Sequence, residues 1–137
     1  MSCSEPVFRW RARVYWEDTD AGGVVYYANY LKFMERARTE WLRAAGFDQS
    51  RLRDDFGAVF VVRRVEIDYL KPARLDDEID IEVRLIELGR VKLVAAQRLT
   101  RGDTLLVKAR VTLACVEAER FKPVKIPDRI LASLSSP

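Results

Sequence analysis

Between residues 7 and 16 the side chains Phe8, Trp10, Ala12, Val14 and Trp16 alternate with Arg9, Arg11, Arg13 and Tyr15, the two-residue period of a strand with one dry face. Residues 18–23 carry turn formers and the pair Gly22 and Gly23, which predicts a bend. Beyond it the period changes. Tyr30, Phe33, Met34, Ala37, Trp41, Ala44 and Ala45 recur at spacings of three and four, while Lys32, Glu35, Arg36, Thr39, Glu40 and Arg43 fill the other side. An amphipathic helix is expected over about residues 27–45, with Gly46 placed to end it and a short helical turn at 48–55 before Gly57. The remainder reads as strands. Residues 59–70 are rich in Val, Ile, Phe and Tyr and stop ahead of Pro72, which a central ladder would not tolerate. Ile79, Ile81, Val83 and Leu85 alternate with charged residues, and the turns "ELGR" and "RGD" lead into strands at 91–100 and 104–116, a meander. In "PDRILASL" Pro127 suits the first turn of a short C-terminal helix.

Strand, helix, then four strands, with the helix buried on one sheet face, describes an α+β sandwich. A chain of 137 residues, 49% of them hydrophobic, is expected to fold as a single domain over 1–137 with a core that needs no disulfide. Five strands covered by one long helix leave sheet edges open, so pairing with a second copy is also expected.

Charge and rare residues narrow the function. Lys and Arg number 24 against 21 Asp and Glu, interleaved along most of the chain; that favours a small anionic ligand and disfavours a nucleic-acid surface. Cys3 and Cys115 fit no ligand spacing; Cys115, in an apolar run, reads as a small core residue. No stretch resembles a leader peptide or a membrane span, so a cytoplasmic chain is expected. Histidine is absent. Catalytic triads, His-ligated zinc and His-based dehydration are therefore excluded, and acid-base chemistry must come from carboxylates, Lys, Tyr, Cys or water.

Asp20 lies where the first strand hands over to the helix, followed by Ala21, Gly22, Gly23, Val24 and Val25. Glycines permit close approach to the backbone, and a helix start offers unpaired N–H donors with a positive dipole end. A carboxylate facing such amides makes an acyl-transfer site, since the amides hold a carbonyl oxygen as charge develops. Equally, Asp18, Thr19 and Asp20 fit as turn and N-cap residues satisfying those same amides. Spacing alone leaves both readings open.

The stretch "RVYWEDTDAGGVVYYANYLKFMERARTEWLRAAG", followed in order by "VEIDYLKPARLDDEIDIEV" and "KPVKIP", resembles the acyl-CoA thioesterases of the hot-dog fold, in particular the 4-hydroxybenzoyl-CoA thioesterase family and its Tol-Pal-associated branch. The resemblance spans nearly the whole chain. It implies a five-stranded antiparallel sheet wrapped around one long central helix, homodimers or homotetramers with sites at the dimer interface, and no cofactor beyond the CoA of the substrate. It also implies that Asp20 is the catalytic carboxylate and that the backbone N–H of Tyr27 polarises the thioester carbonyl. The branch reads "VVYHANY" where this chain reads "VVYYANY"; the change keeps the backbone donor and removes the imidazole. An ionised aspartate suits a nucleophile forming a mixed anhydride, or a base acting on water.

Arg90 and Lys92 in "GRVK" are candidates for the CoA phosphates by the same resemblance, with Arg63, Arg64 and Lys71 behind them; hairpin-end cations are also commonly just solvated. Glu35 falls on the helix's polar face, although another branch of hot-dog thioesterases uses a helical Glu. "RGD" at residues 101–103 is a turn. The rival readings are a non-catalytic binder of acyl-CoA or acyl carrier protein, and an envelope-associated interaction protein. The donor of the acyl group is accordingly expected to be acyl-CoA or an acyl carrier protein.

Overall fold

The computed structural model describes residues 7–135. Strands β1 (Phe8–Arg13), β2 (Ala58–Tyr69), β3 (Glu78–Leu88), β4 (Lys92–Arg101) and β5 (Thr104–Glu117) form one antiparallel sheet in the order β1-β3-β4-β5-β2. Three helices accompany it: α1 (Asn29–Ala44), α2 (Gln49–Phe56) and α3 (Asp128–Ser135). This is the hot-dog arrangement, with α1 as the filling.

Alternation decides which sheet face meets α1. Ile79, Ile81 and Val83 of β3, Ala95 and Leu99 of β4, and Val107 and Ala109 of β5 share one face and pack with Tyr30, Phe33, Met34 and Ala37 of the helix. A second cluster joins Leu42 at the end of α1 to Leu52 of α2, Ile130 of α3, and Leu93, Val111, Leu113 and Cys115 of the sheet. Trp41 touches both clusters and is only half-buried. Asp48 caps α2 by accepting the Arg51 N–H (2.8 Å), and Gly57 ends it at φ +66°, where a side chain would strain the backbone. Opposite the helix, Arg9–Glu82, Arg11–Asp80 and Arg13–Glu78 form cross-strand ion pairs at 3.4, 2.9 and 3.3 Å. Because the side-chain period is two, a one-residue slip of β1 would turn Phe8 and Trp10 to water, so the inner face fixes this register more firmly than the exposed pairs do.

The first strand is shorter than its alternation predicts. It ends at Arg13, and residues Trp16–Asp18 form a 3-10 turn. Val14 keeps its inward place, fully buried, whereas Trp16, expected on the dry face, is 79% exposed. The cause is Asp18: its Oδ2 accepts the Tyr15 N–H at 2.8 Å, and the Asp18 N–H donates to the Tyr15 carbonyl at 3.0 Å, which curls the chain before the alternation can continue. α1 likewise starts two residues later than expected, because residues 26–31 form tighter i+3 bonds. Cys3 lies outside the described residues.

Candidate active site

A small hairpin carries Asp20. Thr19 bridges Val25, the Asp20 N–H donates to the Val24 carbonyl (2.9 Å), and the Gly23 N–H donates back to the Asp20 carbonyl (3.0 Å). Gly23 sits at φ +79°, a conformation that disfavours any other residue there. The Asp20 Oδ1 accepts the Gly22 N–H at 2.8 Å, and a Cβ on Gly22 would stand 3.3 Å from that oxygen. So one carboxylate oxygen is engaged by its own turn, as the capping reading holds. Oδ2 has no hydrogen bond or ion pair among the described residues, and Asp20 is exposed.

Asp18, not Asp20, does most of the local capping. It is 9% exposed; its carboxylate takes the Tyr15 N–H, and its carbonyl accepts both the Tyr26 N–H (3.0 Å) and Asn29 Nδ2 (2.9 Å). Asn29, the first residue of α1, thereby ties the helix start to the hairpin. The Asn29, Tyr30 and Leu31 N–H groups donate to the Tyr26, Tyr27 and Ala28 carbonyls. The Tyr27 and Ala28 N–H groups donate to no group among the described residues, and Ala28, in the N-cap position, has no side chain able to cap. These two amides lie at the positive end of a sixteen-residue helix.

Tyrosines wall this end of the molecule. The Tyr27 ring is 5.0 Å from that of Tyr26 and 6.0 Å, edge-on, from that of Tyr69 at the end of β2; Tyr30 lies 5.6 Å from Tyr69. Tyr27 is 61% and Tyr69 44% exposed, and Leu31, Val62 and Leu70 are exposed as well. Burial raises the Tyr69 and Tyr30 hydroxyl pKa values, so both stay protonated at neutral pH.

Arg90 and Lys92 do not join this group. The Asp20 hairpin is stitched to Ala73 and Arg74, just ahead of β3, whereas Arg90 and Lys92 follow its far end; the eleven residues of β3 put roughly 35 Å of strand between them. Lys92 instead stands 3.8 Å from Glu87, and the Arg90 carbonyl accepts the Ile126 N–H. Arg63 sits at a bulge in β2, Arg64 is 3.8 Å from Glu66, and Lys71 is exposed beyond β2. Glu35 is exposed and accepts the Thr39 hydroxyl at 2.8 Å. It also borders a cleft of about 100 Å³ shared with Arg38, Gln49 and Phe60. Among the described residues no cluster of His, Cys, Asp or Glu is placed to hold a metal ion, and no helix is long and apolar enough to cross a membrane.

The family model described as "Thioesterase-like superfamily" matches residues 14–134. The chain belongs to this family. It is 46% identical over 127 residues to an "Acyl-CoA thioester hydrolase YbgC" of Escherichia coli, covering 92% of this chain and 94% of that one. It is 45% identical over 126 residues to an "Acyl-CoA thioesterase YbgC" of Haemophilus influenzae, covering 92% and 93%. The crystal structure of a "Probable Thioesterase" from Bartonella henselae superposes with a TM-score of 0.86 at 38% identity, over 89% of this chain and 100% of that one. The protein is thus a thioester hydrolase of the hot-dog fold, closely related to the YbgC proteins. Within this thioesterase, the sequence pointed to Asp18 as a turn and N-cap residue, but sequence reasoning missed Asn29, which ties the helix start to the hairpin, and the Tyr30 hydroxyl, which accepts the Ala73 N–H; Asn29 was legible as a polar residue at the head of an apolar stripe.

Proposed function

We propose that this acyl-CoA thioesterase cleaves its substrate between the Asp20 carboxylate and the amides that open α1. The observation that carries the reading is the presence of unused groups on neighbouring segments: an acceptor, Asp20 Oδ2, on the hairpin, and donors, the Tyr27 and Ala28 N–H, at the helix start that follows it. The thioester oxygen sits on the amides, which stabilise the negative charge that develops as the carbonyl carbon becomes tetrahedral. Asp20 acts on that carbon, either attacking it to give a mixed anhydride and free CoA thiol, or taking a proton from the water that attacks. In a single turnover in ¹⁸O water, label found in the Asp20 carboxylate establishes the anhydride route with water attacking the aspartyl carbonyl, whereas attack at the acyl carbon on either route puts the label in the released acid.

On this reading the Tyr27 side chain is dispensable to the chemistry and its N–H is not. Tyr27→His and Tyr27→Ala are expected to keep kcat for thiol release within about tenfold of wild type, since a lost amide donor would cost roughly a hundredfold to a thousandfold. A thousandfold fall in folded Tyr27→Ala would instead assign the ring a direct part.

The site is open in a single chain, and a second copy would close it. β2 is a twelve-residue edge strand with one ladder unpaired, and the exposed Val62, Tyr69, Leu70, Tyr27 and Leu31 adjoin it, a combination that favours edge-to-edge pairing. A homodimer, or a homotetramer built from two, is the proposed working form. Arg90 and Lys92 would meet the CoA phosphates only in a site shared between copies. Acyl carrier protein as an alternative donor rests on the resemblance alone.

A further inference from the structure

The hairpin bearing Asp20 is not held by α1 alone. Val24 bridges Arg74, and the Val25 N–H donates to the Ala73 carbonyl at 2.9 Å. Ala73 is fully buried, and its own N–H donates to the Tyr30 Oη at 2.9 Å. One residue of the 70–77 loop, Ala73, is therefore bonded to Val25 through its carbonyl and to the first turn of α1 through its N–H. Any shift of Ala73 moves both.

The ends of this loop are held by backbone bonds, from the Leu70 and Lys71 N–H to the Leu106 carbonyl and from the Asp76 N–H to the Val14 carbonyl, and its middle is held by a carboxylate. Asp77 Oδ2 accepts the Arg74 N–H (2.8 Å) and Arg101 Nη1 (2.8 Å), and the same guanidinium nitrogen reaches the Pro72 carbonyl at 3.3 Å. The Asp77 N–H donates to the Arg74 carbonyl, and the Asp77 carbonyl accepts the Val14 N–H. Arg101 ends β4, so the rigid centre of the sheet is joined to both sides of Ala73 through one pair of side chains.

We propose that Arg101 and Asp77 are positioning residues of this thioesterase: their ion pair sets Ala73, and through Ala73 the distance between the α1 amides and the Asp20 hairpin. The proposal rests on the reading of Asp20 and the Tyr27 amide as the reacting pair. Neither residue needs to touch substrate. Loss of the pair changes where the donors stand more than how much substrate binds, and a displacement of about 1 Å in such a site can cost on the order of a hundredfold in rate.

The test is steady-state thiol release from an acyl-CoA by wild type, Arg101→Met, Arg101→Lys, Asp77→Asn and the double variant Arg101→Met with Asp77→Asn, each confirmed folded by circular dichroism, with Asp20→Asn alongside. Each single loss is expected to lower kcat about tenfold or more with KM within about threefold, and the double variant to be no worse than the poorer single, because the two act as one unit. Arg101→Lys should recover part of the rate, since an ammonium can reach Asp77 without also holding Pro72. Should these variants unfold, Tyr30→Phe removes one hydroxyl from the far side of Ala73 and should lower kcat with faster hydrogen exchange at the Val25 amide. Wild-type kcat in the folded variants, or in Tyr30→Phe, beside an inactive Asp20→Asn overturns the positioning role alone. Wild-type kcat in Asp20→Asn overturns the reading on which it rests.

Discussion

Arg38 stands four residues beyond Met34, inside the apolar stripe of α1, and is only 8% exposed. Its Nη1 donates to Gln97 Oε1 at 2.9 Å, and Gln97 Nε2 donates to the Met34 carbonyl at 3.0 Å. Burial lowers the Arg38 pKa, partly offset by the charge of Glu35, yet a guanidinium stays charged throughout the ordinary pH range. Gln97 is therefore the acceptor that makes a buried cation tolerable. Gln97→Leu is expected to destabilise the protein by about 2 kcal/mol, the scale of a hydrogen bond to a charged group left without its partner, as read from urea unfolding; an unchanged midpoint would mean that Arg38 finds water instead. Cys115 is the opposite case. Burial pushes its thiol up to about 11, so in a Cys3→Ser variant at pH 8 no thiol should react with a disulfide reagent until denaturant is added. The core role of Cys115 was readable from its apolar neighbours. The Arg38–Gln97 pair was readable in part: Gln97 has the inward parity of Ala95 and Leu99, but nothing local says which cation it meets across 59 residues.

At the scale of elements, the five strands and α1 among the described residues were anticipated from periods of two and 3.6, and the short helices α2 and α3 from the placement of Gly57 and Pro127; the 3-10 turn at Trp16–Asp18 was not. What failed was the end of β1. Alternation through Trp16 was real as a pattern, but a carboxylate three residues after Tyr15 offered the backbone a tighter bond, and local chemistry overrode periodicity. The loop at 70–77 was legible only as a turn at Pro72; its role in bracing the hairpin depends on Arg101, a residue 24 positions from Asp77. That brace has a pH signature. Burial raises the Asp77 pKa, but the Arg74 N–H and Arg101 together outweigh it and leave the pKa below the usual aspartate value. A carboxylate depressed in the folded state contributes stability above its unfolded pKa, and that contribution is lost as pH falls through the folded value. Thermal melts from pH 7 to pH 2 should therefore fall less steeply below about pH 4 for Asp77→Asn than for wild type. Parallel curves would show that the pair contributes nothing to folding.

For the whole molecule, the unequal edges of the sheet matter most. β1 is six residues long, whereas β2 runs twelve and borders the exposed tyrosines near Asp20. If β2 pairs with its copy, Val62→Lys should shift the protein from dimer to monomer in size-exclusion chromatography with light scattering and reduce activity together with assembly. A fully active monomer would remove the second copy from the account of the site. The fold and the place of Asp20 were legible in one chain, since a hairpin between strand and helix is a local matter. Pairing with a second copy was expected from the open sheet edges and from the resemblance, but which residues would meet across such an edge is not a local matter and could not be read from the sequence. The central claim remains local and is tested most directly by thiol release from an acyl-CoA by Asp20→Asn beside wild type, with matched circular dichroism and melting temperature. A fall in kcat/KM of roughly a thousandfold or more is expected for loss of a carboxylate that acts on the reacting carbon; activity within tenfold of wild type would contradict it.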